Sequence, residues 1–209
     1  MVKISELTIS INAPKIAPLF LRFLCMYDLV NERPLGSGHC TEDPKVMIVR
    51  SATCVYFPLS NRNEIAPKRE ILRATPSWKN SLPSHDTVLV KTELAPGLHG
   101  LLVARLHLLF SFMKSNTRHD VALIQWYSYI GDLPDEDTEM WVVKKEKRSD
   151  GLPVIDFIYI DAIVRSCQLL PVYRRGMIPH QVNHMTSLNC FQAYYVNKFA
   201  DHHSFELLS

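Results

Sequence analysis

Histidine, aspartate and cysteine gather towards the C-terminal end of the chain. His202 and His203 follow Asp201 directly, His180 and His184 stand four residues apart, and Cys190 lies between the two groups. Imidazole nitrogen, thiolate and carboxylate are the ligands from which zinc sites are assembled. His184, Asp201, His202 and His203 are therefore the candidate metal ligands. Adjacent histidines on a strand point to opposite faces, however, so at most one of the pair would join a given site. A structural role, with one imidazole satisfied by a backbone or carboxylate partner, is the preferred reading. Asp86, Asp156 and Asp161 offer further carboxylates at strand edges. Two-metal strand cleavage needs such groups to converge on ions about 4 Å apart, and a short antiparallel core gives no reason for that. The run Lys144-Lys-Glu-Lys-Arg148 precedes a Ser-Asp-Gly turn. It reads as a solvated hairpin tip, with phosphate contact as its alternative. No catalytic constellation emerges, and neither an enzyme, a cofactor nor a small-molecule substrate is expected.

The elements that must position these groups lie between Asp86 and Tyr173. Apolar runs are cut there by polar turns: 86–91, 100–112, 121–127, 140–144, 154–160 and 168–173. From Leu102 to Phe112 every even position is apolar, whereas the odd positions include Arg105, His107 and Ser111. That period of two predicts strands with one buried face and one at least partly wet. Ala122, Ile124 and Trp126 repeat the device against Gln125, and β-branched and aromatic residues fill the later runs. Turn chemistry separates them at Ala95-Pro-Gly97, Lys114-Ser-Asn116, Gly131-Asp-Leu-Pro134 and Arg148-Ser-Asp-Gly151. The expected class is α+β, mostly β: a small antiparallel curled sheet or barrel with an N-terminal amphipathic helix and a C-terminal extension.

Composition bounds the rest. The 209 residues are 47% hydrophobic, ample for a core, and the net charge of +2 leaves room only for a local basic patch. Five cysteines without a CxxC pair read as reduced thiols of an intracellular protein. Lys3 and Glu6 interrupt any secretory core, and no run approaches the roughly 20 apolar residues of a membrane span. Ile16, Leu19, Phe20, Phe23, Leu24 and Tyr27 form a helical stripe beginning near Ala17, with Pro18 tolerated in the first turn. The stripe is expected to pack on the barrel rather than to wait for a partner. Residues 31–45 and 61–68 read as polar links, and 46–59 as a short strand followed by a helical turn capped by Ser51. The division is thus a helical N-terminal extension with linkers over 1–67 and a barrel-like domain with a C-terminal extension over 68–209.

Several segments carry a family resemblance. Lys68-Arg-Glu-Ile-Leu-Arg-Ala-Thr-Pro-Ser-Trp78, Asp86-Thr-Val-Leu-Val90 and Pro96-Gly-Leu-His-Gly-Leu-Leu-Val-Ala-Arg105 come first. Ala122-Leu-Ile-Gln-Trp-Tyr127, Gly131-Asp-Leu-Pro-Asp135 and Met140-Trp-Val-Val-Lys144 follow, then Ile160-Asp-Ala-Ile-Val-Arg165, Leu169-Leu-Pro-Val-Tyr173 and Ala193-Tyr-Tyr-Val-Asn-Lys198 to Glu206. In this order they resemble the C-terminal region of the Plavaka-type DNA transposases of basidiomycete fungi. In that family the RNase H-like cutting core and a zinc finger lie upstream of this region. The resemblance therefore implies a non-catalytic accessory or interaction domain, intracellular and nuclear, whose partners would be DNA, chromatin proteins or transposase subunits. The segment Asn61-Arg-Asn-Glu-Ile-Ala-Pro67 replaces the glycine-rich link usual before the Arg-Glu pair. This departure fits the alternative of a transposon relic without selected function, and a metal-dependent enzyme is the third and weakest alternative.

The order of strands is also similar to that of bromo-adjacent-homology modules, SH3-like β cores that read chromatin, some through an aromatic cage for methylated lysine. That likeness implies Trp126, Tyr127 and Trp141 as a candidate cage acting through cation–π attraction. The competing and preferred reading places Trp126 and Trp141 in the core.

Overall fold

The computed structural model describes residues 2–4, 6, 16–30, 45–57, 67–77, 83–92, 98–173, 182 and 186–209, without the side chains of 27–30 and 99. The strands are β1 (Val2–Lys3), β2 (Lys45–Val49), β3 (Ser51–Tyr56), β4 (Lys68–Thr75), β5 (Ser84–His85), β6 (Thr87–Lys91), β7 (Leu101–Lys114), β8 (Thr117–Tyr129), β9 (Val142–Lys145), β10 (Ile155–Tyr159), β11 (Ile163–Ser166), β12 (Leu169–Pro171) and β13 (Tyr194–Val196). Helices α1 (Ile16–Val30), α2 (Ser187–Cys190) and α3 (His202–Leu208) accompany them. The protein is mostly β, and its main sheet is antiparallel and strongly curled.

The hairpin of β7 and β8 organises the sheet. Its two-residue loop places both Ser115 and Asn116 in the left-handed region, at φ of 50° and 62°. A tight connection of that kind matches the right-handed twist of the flanking strands. Both arms outrun their neighbours and change partners along their length. Near the turn β7 pairs with β2 and β8 with β10; further along, β7 pairs with β6 and β8 with β9. The segment 163–171 pairs with β6 through β11 and with β13 through β12, while β13 pairs with β9. The circuit of hydrogen-bonded neighbours thus returns to β6, around an interior holding Leu89, Val103, Tyr127, Val143, Leu169 and Tyr194.

A bulge at His107 corrects the expectation of a single apolar face on β7. The register slips between Leu106 and Leu108 opposite β8. Ala104, Leu106 and Leu109 consequently join one core cluster, and Leu108, Phe110 and Phe112 another. Val103 and Leu109 are fully buried, so both faces of β7 are covered along much of its length. One extra residue flips every later side chain to the opposite face.

Helix α1 lies over the second of these clusters. Ile16, Phe20 and Leu24 are buried there, and the Phe20 ring meets Phe112 and Phe157 edge-on, each at 5.2 Å between centroids. The stripe packs on the sheet because it meets an apolar face of matching chemistry. Residues 51–56 form a strand where a helical turn was expected. They pair along their whole length with β4, where Thr53 and Val55 suit an extended ladder better than a helix. With β2 on β7 and β3 on β4, the sheets draw strands from both sides of position 67. Among the described residues, no helix is long and apolar enough to cross a membrane. Cys25, Cys54, Cys167 and Cys190 are free thiols, and Cys40 lies outside the described residues.

Candidate functional site

Asp201, His202 and His203 form no joint ligand set. Asp201 grips Arg165 of β11 with both oxygens, at 2.9 and 2.6 Å, and also accepts the Ser204 amide at 2.7 Å as the N-cap of α3. These bonds from Arg165 hold the Asp201 carboxyl well below the usual carboxylate range. The Arg165 guanidinium donates to Nδ1 of His203 at 3.1 Å. An arginine can only donate, so that nitrogen accepts and the ring is neutral. Burial, followed by the charge of Arg165, lowers the His203 pKa in agreement. His202 is exposed and faces Glu206 one helical turn on, at 3.4 Å.

The rest of this network comes from distant strands. Glu70 of β4 lies 3.6 Å from Arg165 and accepts the Ser166 amide and hydroxyl. Tyr56 of β3 stacks on His203 at 4.5 Å, with Arg165 4.8 Å from its ring centre. Among the described residues no group of three His, Cys, Asp or Glu side chains could hold a metal ion. His180 and His184 lie outside those residues. The C-terminal cluster therefore meets in a salt-bridged clasp that pins α3 to β11 and β4.

The three cage candidates are brought to different places. Trp126 packs against the cluster containing Leu106 and Ile124, whereas Tyr127 belongs to the barrel interior and meets Tyr194 edge-on at 6.1 Å. Neighbours on one strand must diverge in this way. Trp141 packs beside Tyr129, 5.2 Å between centroids. Of the three carboxylates considered above, Asp86 accepts the Arg73 amide at 2.8 Å, Asp156 accepts the adjacent Phe157 amide at 2.8 Å, and Asp161 sits in the short 3-10 turn 160–162.

A different group converges where the barrel interior opens. Arg105 stands opposite Gln125, and Tyr127 opposite Lys145, so the register sets all four on the same face. Arg105 donates to the side-chain oxygen of Asn189 at 2.7 Å, and the Lys145 ammonium reaches the same oxygen at 3.2 Å. His107, the bulge residue, meets the Gln125 oxygen at 3.3 Å, and His85 binds the Leu106 carbonyl at 3.0 Å through Nδ1. Burial, against the Gln125 bond and with help from Arg105, pushes the His107 pKa down to about 4. Burial and then Arg105 also lower the pKa values of His85 and Lys145.

Two clefts flank this mouth. One, of about 730 Å³, is lined by Lys144, Lys145, Lys147, Asn189 and Gln192 among others and has no carboxylate among the described residues of its wall. The other, of about 510 Å³, includes Arg73, His85, Asp86, Arg105 and Gln168. Alternation along 102–112 puts Arg105 and His107 on the wet face of a strand, and Asn189 stands outside every motif of the sequence. The available signal was the pair of polar residues within the apolar run 100–112. No protein-family model, curated protein or solved structure matches the chain in comparisons with known proteins.

Proposed function

We propose that this chain is a non-catalytic accessory domain of a DNA transposase of the Plavaka type, and that it lies against DNA through the lysine-lined cleft beside β9. The colinear segments quoted above support the first half of this reading. The cleft carries the second: Lys144, Lys145 and Lys147 share a wall with no carboxylate among its described residues, in a protein whose net charge is only +2. Clustered cations along a wall favour a polyanion, and phosphate contacts position a protein on DNA without reading its sequence. A domain with this task would act in the nucleus beside the transposase core.

Binding of the chain to duplex DNA across a salt series tests the proposal. The affinity should fall linearly with salt on logarithmic axes, by a slope of about −0.9 for each phosphate neutralised. Lys144→Gln and Lys147→Gln should each reduce that slope by about one and weaken binding uniformly across DNA sequences. Absence of DNA binding at low salt, or binding indifferent to salt and to both substitutions, overturns the reading.

A further inference from the structure

We infer that the mouth of the barrel is a seat for a phosphate group, held between Arg105 and Lys145 in the place now taken by the side-chain oxygen of Asn189. The inference rests on the DNA reading for the source of the phosphate, but the seat itself is argued from geometry. Two cations from β7 and β9 point at one neutral oxygen, at 2.7 and 3.2 Å. An amide oxygen has two lone pairs and both are used, while an ammonium and a guanidinium between them keep several donors in hand. The Arg105 Nε is buried without a hydrogen-bond partner among the described residues. No carboxylate among the described residues lies within ion-pair distance of either cation. Like charges left together without a counter-ion repel, and an oxyanion between them removes that repulsion while accepting the spare donors.

The surroundings fit a small anion. The fields of Arg105 and Lys145 bear on His107, and Arg105 also acts on His85, so the positive potential spreads over the whole opening. The Tyr127 hydroxyl, on the same face, is likewise buried without a partner among the described residues. Asn189 is carried by α2, a single turn outside the strand ladders that is tied to β13 by the Tyr194 hydroxyl at Ser187 and Phe191. Moving the amide aside therefore disturbs one short helix and no strand ladder. Barrel mouths are common ligand sites because the strands fix convergent polar groups around an opening.

Titration of the full chain with inorganic phosphate at low salt, followed by the side-chain NMR signals of Asn189 and Arg105 Nε, tests the seat. Saturable binding is expected at millimolar phosphate or below, with shifts confined to the mouth. Lys145→Gln and Arg105→Gln should each weaken it by about tenfold, through loss of a charge-assisted contact. Lys145 ends a short strand, so its variant keeps the test valid if Arg105→Gln fails to fold. Asn189→Ala should tighten phosphate binding, because the oxygen that occupies the seat is gone. No saturable binding up to about 10 mM, binding indifferent to both cation variants, or weaker binding by Asn189→Ala overturns the seat. Duplex DNA run on the same variants separates the two proposals. Phosphate binding at the mouth without DNA binding retains the seat and removes the DNA reading. DNA binding indifferent to Lys145→Gln, with no phosphate binding, does the reverse.

Discussion

Arg165 and Arg105 both lie on strands of the curled sheet, yet the protein treats them in opposite ways. Arg165 is only 4% exposed and meets the two carboxylates Asp201 and Glu70, a neutral imidazole and an aromatic face. Arg105 meets one amide oxygen and shares it with a lysine. The first arrangement satisfies a buried charge and joins three distant segments. In the second, a charge is left incompletely satisfied at an opening. The difference teaches that proximity of His and Asp in sequence marked the structural clasp, while the binding candidate was marked by two cations, Arg105 and Lys145, with no ion-pair partner among the described residues.

Substitutions at the two arginines give the largest contrast. Arg165→Met should destabilise the protein by about 3–5 kcal/mol, because it strands Glu70 and Asp201 beside an apolar side chain. The 44% exposure of the Asp201 side chain favours the lower end. Urea unfolding measures this directly. A loss below about 1 kcal/mol would reduce the clasp to an ordinary surface pair.

Acid should separate the regions next. The folded pKa of His107 is about 4, against about 6.5 in an unfolded chain. The unfolded state thus binds the extra proton between those values, and stability falls as pH drops through that window, by about 3 kcal/mol at most. Asp201 is shifted the other way relative to its charge: its contribution is complete above about pH 4 and is lost only below that. His85 and His203 are also lowered, so the difference between wild type and His107→Gln isolates the mouth. An identical pH profile for both proteins would show that His107 protonates freely in the folded state.

Arg105→Met should have the smallest effect, at or below about 1 kcal/mol, since it removes one hydrogen bond to a neutral acceptor and relieves repulsion with Lys145. A cost equal to that of Arg165→Met would break the contrast and make the mouth a second structural clasp.

Much of this architecture is local chemistry and was legible in order along the chain. Alternation and β-branched runs placed β6 to β10 and β12 but not β11, which falls between two of the runs; the Ser115-Asn116 turn set the central hairpin, and the stripe from Ile16 to Leu24 made α1. Each of these depends on neighbours within a few residues, where periodicity and turn propensity carry the information. The strand at 51–56 was missed because its identity depends on its partner β4. The bulge at His107 was invisible for the same reason: a slip in register exists only relative to β8. The sites lay furthest out of reach. Arg165 meets Asp201 across 36 residues of sequence, Lys145 meets Asn189 across 44, and Arg105 meets Asn189 across 84. Sequence alone determined the N-terminal helix, the central hairpin and most of the strands beside it, because those preferences are short-ranged. Only the tertiary structure decided which charges would find a counter-charge, because closure of the curled sheet brings together side chains whose separation along the chain carries no periodic signal.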